Sequence, residues 1–219
     1  MATTTTNSPS SPQDINTEII LYLQKYGYLN NIGNNTQLSI GSEKLKQAIA
    51  LFQEYYQIQG DGSLNDRTLH QMRKPRCGLS DIPHHEHDTG IHKWTKINLT
   101  WNFHLANANI LKTTEFAFSL WAANSSLTFE REILNPDILI SYRSGTHTYL
   151  DHKRNAEICP SSFDGRGGVL AHAFYPSRNP NYITEIHIDN AEAWHIYLHD
   201  KIPFNSERLL HTLTHEIGH

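Results

Sequence analysis

The last five residues, His215-Glu216-Ile217-Gly218-His219, carry the pattern H-E-x-x-H. On a helix, residues four apart share a face, so His215 and His219 can aim both imidazoles at one zinc ion, with Glu216 flanking that face. The chemistry this allows is hydrolysis. A water acidified by the metal gives its proton to the Glu216 carboxylate and attacks a peptide carbonyl. His211, one turn earlier, is read as a packed or solvated side chain rather than a third ligand. Fifteen His against two Cys raise the prior for metal chemistry, because imidazole is the commonest metal-binding side chain.

Two further segments have residue types suited to cations. Pro75-Arg76-Cys77-Gly78-Leu79-Ser80-Asp81 presents a single sulfur in a turn. A thiolate is a strong zinc ligand, and one held over an open coordination position displaces the catalytic water. Phe163-Asp164-Gly165-Arg166-Gly167-Gly168-Val169 is glycine-rich. Such a backbone can turn tightly enough to point carbonyls at a cation, and calcium prefers carbonyls together with carboxylates. The polar run His84-His85-Glu86-His87 is read as solvated linker rather than a metal site.

These residues need elements to position them. A tail over residues 1–15 is rich in Thr, Ser and Pro and reads as flexible. Ile19, Ile20 and Leu23 give a first helix its apolar face, stopped near Gly27. Ser42 caps a second helix, in which Leu45, Ala48, Ile49 and Phe52 recur at helical spacing. Gly60-Asp61-Gly62 turns the chain into a short third helix over Asp66–Met72, with Leu69 and Met72 inward. Strands then dominate. Ile97, Leu99, Trp101 and Phe103 alternate, and 127–129, 138–142, 169–174 and 185–189 follow. A helix over 113–123 is expected to turn Phe116, Leu120 and Ala123 inward, and a last helix capped by Ser206 carries His215 and His219. The implied class is α+β: a small three-helix bundle, then a mixed twisted sheet with helices.

The composition is that of a folded chain, 38% hydrophobic and 18% charged. A net charge of −4 gives no basic footprint for nucleic acid. No apolar run is long enough to span a membrane, and the N-terminus lacks the basic start and apolar stretch of a secretory signal. Two cysteines, Cys77 and Cys159, do not make a disulfide framework.

Residues 75–81 resemble the cysteine-switch motif P-R-C-G-x-P-D of the matrixins, the matrix metalloproteinase family, with Ser80 at the second Pro. Tyr22 to Leu29, Ala48 to Gln53, Gly60 to Leu64 and Thr68 to Met72 resemble the family's pro-domain, which is similar to peptidoglycan-binding bundles. Lys93-Trp94, Leu99 to Trp101, Phe118 to Trp121, Leu127 to Phe129 and Pro136 to Ile140 resemble catalytic-domain segments in the family's order. The resemblance implies a zinc endopeptidase zymogen: tail 1–15, pro-domain 16–81, linker 82–93 and catalytic domain 94–219. It implies Glu216 as general base, His215 and His219 on the catalytic zinc, and Cys77 on that zinc in the latent form. Arg76 and Asp81 match an ion pair that holds the switch loop.

The resemblance also implies a structural zinc on His147, His172 and His187. The family's fourth ligand, an Asp, falls at Tyr149, so Asp151 is the expected substitute, with His152 its rival. Calcium is implied at Asp164, Gly165, Gly167, Val169, Asp189 and Glu192. Glu185 falls at an Asp position of a second calcium site. Leu170 and Ala171 match the edge strand that binds extended substrate. The implied partners are a protein or peptide substrate and an activating protease, and the implied location is extracellular. Cys159 is either a plain thiol or a partner for Cys77.

The family motif continues as H-E-x-x-H-x-x-G-x-x-H and a Met-turn. Those residues would lie beyond His219, so these 219 residues are expected to be catalytically incomplete. Two other classes compete: a non-catalytic binding module with a metal-stabilised sheet, and a zincin outside the matrixins. Retention of Glu216 argues against the first. The Cys77 motif together with the glycine-rich loop argues against the second.

Overall fold

The computed structural model describes residues 12–30, 42–82, 93–151, 153–177, 179 and 182–219. The run His84 to His87, His152, residues 1–11 and most of the expected linker lie outside them, and residues 12–15, expected in a flexible tail, are helical. The described residues form two compact units: those within 1–73 and 80–89, and those within 74–79 and 90–219.

The first unit holds three helices, α1 (Pro12–Lys25), α2 (Glu43–Tyr55) and α3 (Asp66–Met72). Ser42 caps α2, its Oγ accepting from the Leu45 amide at 3.4 Å, and Leu45, Ala48, Ile49 and Phe52 turn inward. These four pack with Ile19, Leu23, Tyr26, Tyr28 and Met72 in one apolar core. Buried Gln53 ties the following turn to the bundle. Its Nε2 donates to Ser63 O and Thr68 Oγ1, both at 2.9 Å, and its Oε1 accepts from Gly62 N at 2.9 Å. Gly27, at φ +88°, ends α1 where a Cβ would strike the Ile82 carbonyl. The Asp81 carboxylate accepts from the hydroxyls of Tyr28 at 2.6 Å and Tyr56 at 3.1 Å.

The second unit is built on a six-stranded sheet. Its strands in chain order are β1 (Arg76–Cys77), β2 (Asn98–Phe103), β3 (Thr128–Arg131), β4 (Ile138–Arg143), and, beyond a hairpin of β5 (Thr148–Leu150) and β6 (Ala156–Ile158), β7 (Val169–Ala173) and β8 (Thr184–Asp189). Their order across the sheet is β1-β7-β8-β4-β2-β3. Only the β7–β8 pairing is antiparallel. A short parallel pair, β9 (Trp194–His195) with β10 (Glu207–Arg208), lies outside this sheet. Helices α4 (Ala108–Ala123) and α5 (Leu209–Ile217) complete the unit.

Two helix expectations are corrected. Asn107 caps α4, its side chain accepting from the Asn109 and Ile110 amides at 3.0 Å each. The helix therefore starts at Ala108, and its buried face is Ile110, Thr113, Thr114, Ala117 and Phe118, leaving Phe116 and Leu120 exposed. Phe118 stacks on Trp101 of β2 with centroids 4.9 Å apart. Ser206 does not cap α5. The chain passes from β10 straight into the helix, so Arg208 is the N-cap residue and makes no side-chain cap bond. Leu209, Leu210 and Leu213 bury one face of α5. The Trp121 indole donates to Thr214 O at 2.7 Å, which fixes α5 against α4 and sets the direction in which the final turn projects its histidines.

Candidate metal centres

Cys77, His215, Glu216 and His219 bring one donor atom each into a single group, all within 4.8 Å of one another. α5 supplies His215 and Glu216, and His219 follows just past its C-cap Gly218. His219 Nε2 lies 3.2 Å from His215 Nε2, as the i, i+4 spacing requires. Cys77 Sγ lies 3.5 Å from both His219 Nε2 and Glu216 Oε2. Glu216 is 2% exposed, and its Oε1 is buried without a hydrogen-bond partner. Burial lifts the Glu216 carboxyl to about 8 and, with the His215 charge, lowers His219 to about 4. Burial and the Glu216 carboxylate push the Cys77 thiol far above its ordinary value. His211, one turn before His215, is exposed and is not in this group.

Cys77 reaches this position because its segment joins the sheet. β1 pairs in parallel with β7, Arg76 opposite Val169 and Cys77 opposite Ala171. Arg76 N donates to Gly168 O at 2.8 Å, and Gly78 N to Ala171 O at 2.7 Å. The Arg76 guanidinium donates to the carbonyls of Cys77 at 3.1 Å and Leu79 at 3.3 Å, closing the turn on itself. The Leu79 amide points at Cys77 Sγ from 3.4 Å. Leu170 and Ala171 thus sit on the strand whose edge β1 covers.

A second group lies in the sheet and the hairpin beside it. His147, Cys159, His172 and His187 also bring four donor atoms within 4.8 Å of one another. Cys159, His172 and His187 are buried, and His147 is half-buried. His187 Nδ1 lies 2.9 Å from His147 Nε2 and 3.1 Å from His172 Nε2. Cys159 Sγ is 3.2 Å from His172 Nε2. Glu185 faces this group and not a second calcium site: its Oε2 accepts from His187 Nε2 at 2.8 Å and its Oε1 from the Leu150 amide at 2.7 Å. Burial works to raise Glu185, but the His187 and Leu150 bonds outweigh it and hold the carboxyl below its ordinary value. Burial also lowers His187 below its ordinary value, against the pull of Glu185.

The expected fourth member, Asp151, is not in this group. Its carboxylate accepts from the Lys153 and Asn155 amides at 2.8 and 2.7 Å and from Asn155 Nδ2 at 3.1 Å, so it caps its own exposed turn. The antiparallel β5–β6 pairing carries the chain back, and Cys159 N donates to His147 O at 2.8 Å, bringing the thiol into the place assigned to Asp151. Both cysteines are free thiols, so Cys159 does not pair with Cys77.

The glycine-rich loop turns through Gly165, Gly167 and Gly168, all at positive φ. A Cβ on Gly168 would strike the Asp164 carboxylate. Asp164 Oδ1 accepts from Val169 N at 3.0 Å, Glu192 Oε1 from Gly167 N at 2.6 Å, and Asp189 Oδ1 from Ala191 N at 2.8 Å. Asp189 is fully buried, and its Oδ2 has no hydrogen-bond partner. Burial, then the neighbouring Asp164 charge, raises Asp189; burial, then the Asp189 and Glu207 charges, raises Glu192. Acidic groups facing one another around an unpaired carboxylate oxygen suit an oxygen-seeking cation.

The matrixin family model matches residues 93–219, and a peptidoglycan binding domain model matches 17–72. The chain belongs to the matrixin family. It is 32% identical to interstitial collagenase of Equus caballus over 96% of this chain and 43% of that protein. It is 31% identical to matrix metalloproteinase-20 of Homo sapiens, over 90% and 39%. Matrix metalloproteinase-18 of Xenopus laevis is 34% identical over 74% of this chain and 33% of its own length. The chain spans about two-fifths of the length of the first curated relatives it matches.

Matrixin membership implies zinc, and both nitrogen–sulfur donor sets fit it: borderline-soft donors converge, and the unpartnered Glu216 oxygen stands beside the outer set. Among the described residues, no helix is long and apolar enough to cross a membrane. Sequence reasoning left Cys159 without an assigned role. The signal available was its place between His147 and Phe163 in a loop longer than the family's.

Proposed function

We propose that this matrixin is the latent form of a zinc endopeptidase that hydrolyses internal peptide bonds of proteins. The observation that carries the reading is Cys77 Sγ at 3.5 Å from both Glu216 and His219, beside His215. His215 and His219 hold the catalytic zinc, and Cys77 occupies its remaining access. When bound, zinc supplies Lewis acidity to water and to the scissile carbonyl. Glu216 would take the proton of the attacking water and pass it to the leaving amine. Leu170 and Ala171 bind substrate by backbone pairing at the β7 edge. β1 blocks that edge as well, so latency has two parts: a sulfur over the metal and a strand in the substrate's path.

The buried group, with His147, His172 and His187, holds a structural zinc. Asp164, Gly165, Gly167, Val169, Asp189 and Glu192 hold calcium; the unpaired Asp189 oxygen supports this. Residues 1–219 supply two imidazoles to the catalytic zinc, and by themselves they bind it without turnover. The relatives' name interstitial collagenase makes extracellular matrix protein the first substrate class to try, and an extracellular location follows from the same kinship.

The test uses the full-length protein that carries this chain. Modifying Cys77 with an organomercurial should release cleavage of a quenched peptide, and Glu216→Gln should abolish it. Metal binding with no cleavage after Cys77 modification would make the protein a metal-stabilised binding module instead.

A further inference from the structure

The hydrogen bonds around the buried group turn two ring lone pairs towards one spot. His147 Nδ1 lies 2.8 Å from Gly145 O, an acceptor, so its proton sits there and Nε2 presents a lone pair. His187 Nε2 donates to Glu185 Oε2 at 2.8 Å, so its Nδ1 presents a lone pair. These two lone pairs face each other across 2.9 Å. One thiol proton on Cys159 and one ring proton on His172 remain, and neither lies between them. In these tautomers His147 and His187 make an acceptor–acceptor contact, which a bound cation, or an added proton on His187 beside Glu185, would relieve.

We propose that Cys159 is a thiolate ligand of the structural metal, giving a His147-His172-His187-Cys159 site rather than one closed by an acidic side chain. The sulfur is 2% exposed and 3.2 Å from His172 Nε2. Tetrahedral bonds of about 2.1 Å to nitrogen and about 2.3 Å to sulfur set two nitrogens about 3.4 Å apart and sulfur about 3.6 Å from nitrogen, so the observed 2.9 and 3.1 Å between nitrogens and 3.2 Å from sulfur need outward shifts of about half an ångström or less. A thiolate also makes the site select soft divalent cations, zinc and cadmium, over magnesium or calcium. Glu185 is the positioning residue that fixes the His187 tautomer. Cys159 follows β6, so the metal would clip the β5–β6 hairpin to the β7–β8 pair.

The experiment is X-ray absorption at the zinc edge on the full chain carrying Cys77→Ala, in which Cys159 is the one remaining cysteine. It expects a sulfur scatterer at about 2.3 Å. The cobalt-substituted protein should show a near-ultraviolet sulfur-to-metal charge-transfer band that Cys159→Asp removes while metal is retained. A shell of nitrogen and oxygen only, or alkylation of Cys159 with zinc still bound, overturns the proposal. The absorption measurement leaves Cys159 intact, so a misfolded Cys159 variant does not blunt it. No readout depends on peptide hydrolysis, so this assignment and the protease reading can fail separately.

Discussion

His172 and His187, at 2% and 0% exposed, come from neighbouring strands in the middle of a sheet, while His215 and His219 come from the last turn of a helix and remain partly open. Both groups converge imidazole and sulfur to similar distances. They differ in what holds the sulfur. Cys159 enters at the end of a hairpin, its amide donating to His147 O, and is itself buried. Cys77 enters on a two-residue strand at the sheet edge, held by the two backbone bonds flanking it. A closed group suits permanent structure, and an open one suits a ligand that must leave.

The largest effect should come from removing a buried imidazole. His172→Ala should lose one metal equivalent and more than about 3 kcal/mol of stability, because a buried metal contributes folding free energy. His215→Ala should lower metal affinity at the outer group and cost less than about 1 kcal/mol. Metal analysis with urea denaturation checks both, and equal stability losses would erase the distinction between the centres.

Next comes the support around the buried group. Glu185→Gln keeps the shape but removes the carboxylate that holds His187, and should weaken metal binding there by about 10–100-fold. Competition with a chelator, followed for each equivalent, should leave the outer group unchanged. An equal shift at both would mean the variant acts through general destabilisation.

A third contrast appears on stripping the metal. Glu216 folds with its proton, since burial holds it near 8, whereas the unfolded chain ionises at an ordinary carboxyl value. The stability tied to that proton is complete below the ordinary value and is lost as pH rises through about 8. His219, lowered to about 4, acts at the acid end: its share is intact above the ordinary imidazole value and is lost as pH falls towards about 4. The two shares oppose each other up to the ordinary imidazole value, about 6.5, so urea midpoints of the chelated chain should stay level below it and fall from about pH 6.5 to about pH 8. Glu216→Gln should flatten that fall, and a slope that survives the substitution would assign it elsewhere.

Much of the outer group was legible in the sequence, because His215, Glu216 and His219 are four positions apart at most and helix periodicity largely sets their geometry. The bundle was legible for the same reason: Ser42 and the Leu45 to Phe52 spacing are local signals. The inward face of α4 was not, since Asn107 moved the helix start and sheet packing chose Ile110, Ala117 and Phe118 over Phe116 and Leu120. Cys159 was not either. Which residue closes the buried group depends on the register of β5 on β6, Thr148 opposite Ile158 and Leu150 opposite Ala156, and that register is a non-local property.

The smallest effect should come from Asp151, and it separates the two candidates for the buried group. Its carboxylate is exposed and spends its oxygens on Lys153 N, Asn155 N and the Asn155 side chain. Those bonds hold its pKa down, with the Asn155 amide bond the largest cause. Asp151→Ala should therefore loosen the turn between β5 and β6, seen as faster amide exchange at Lys153 and Asn155. Metal content and the cobalt spectrum should stay as they are. Loss of a metal equivalent in this variant would return the acidic side chain to the ligand set and displace Cys159 from it.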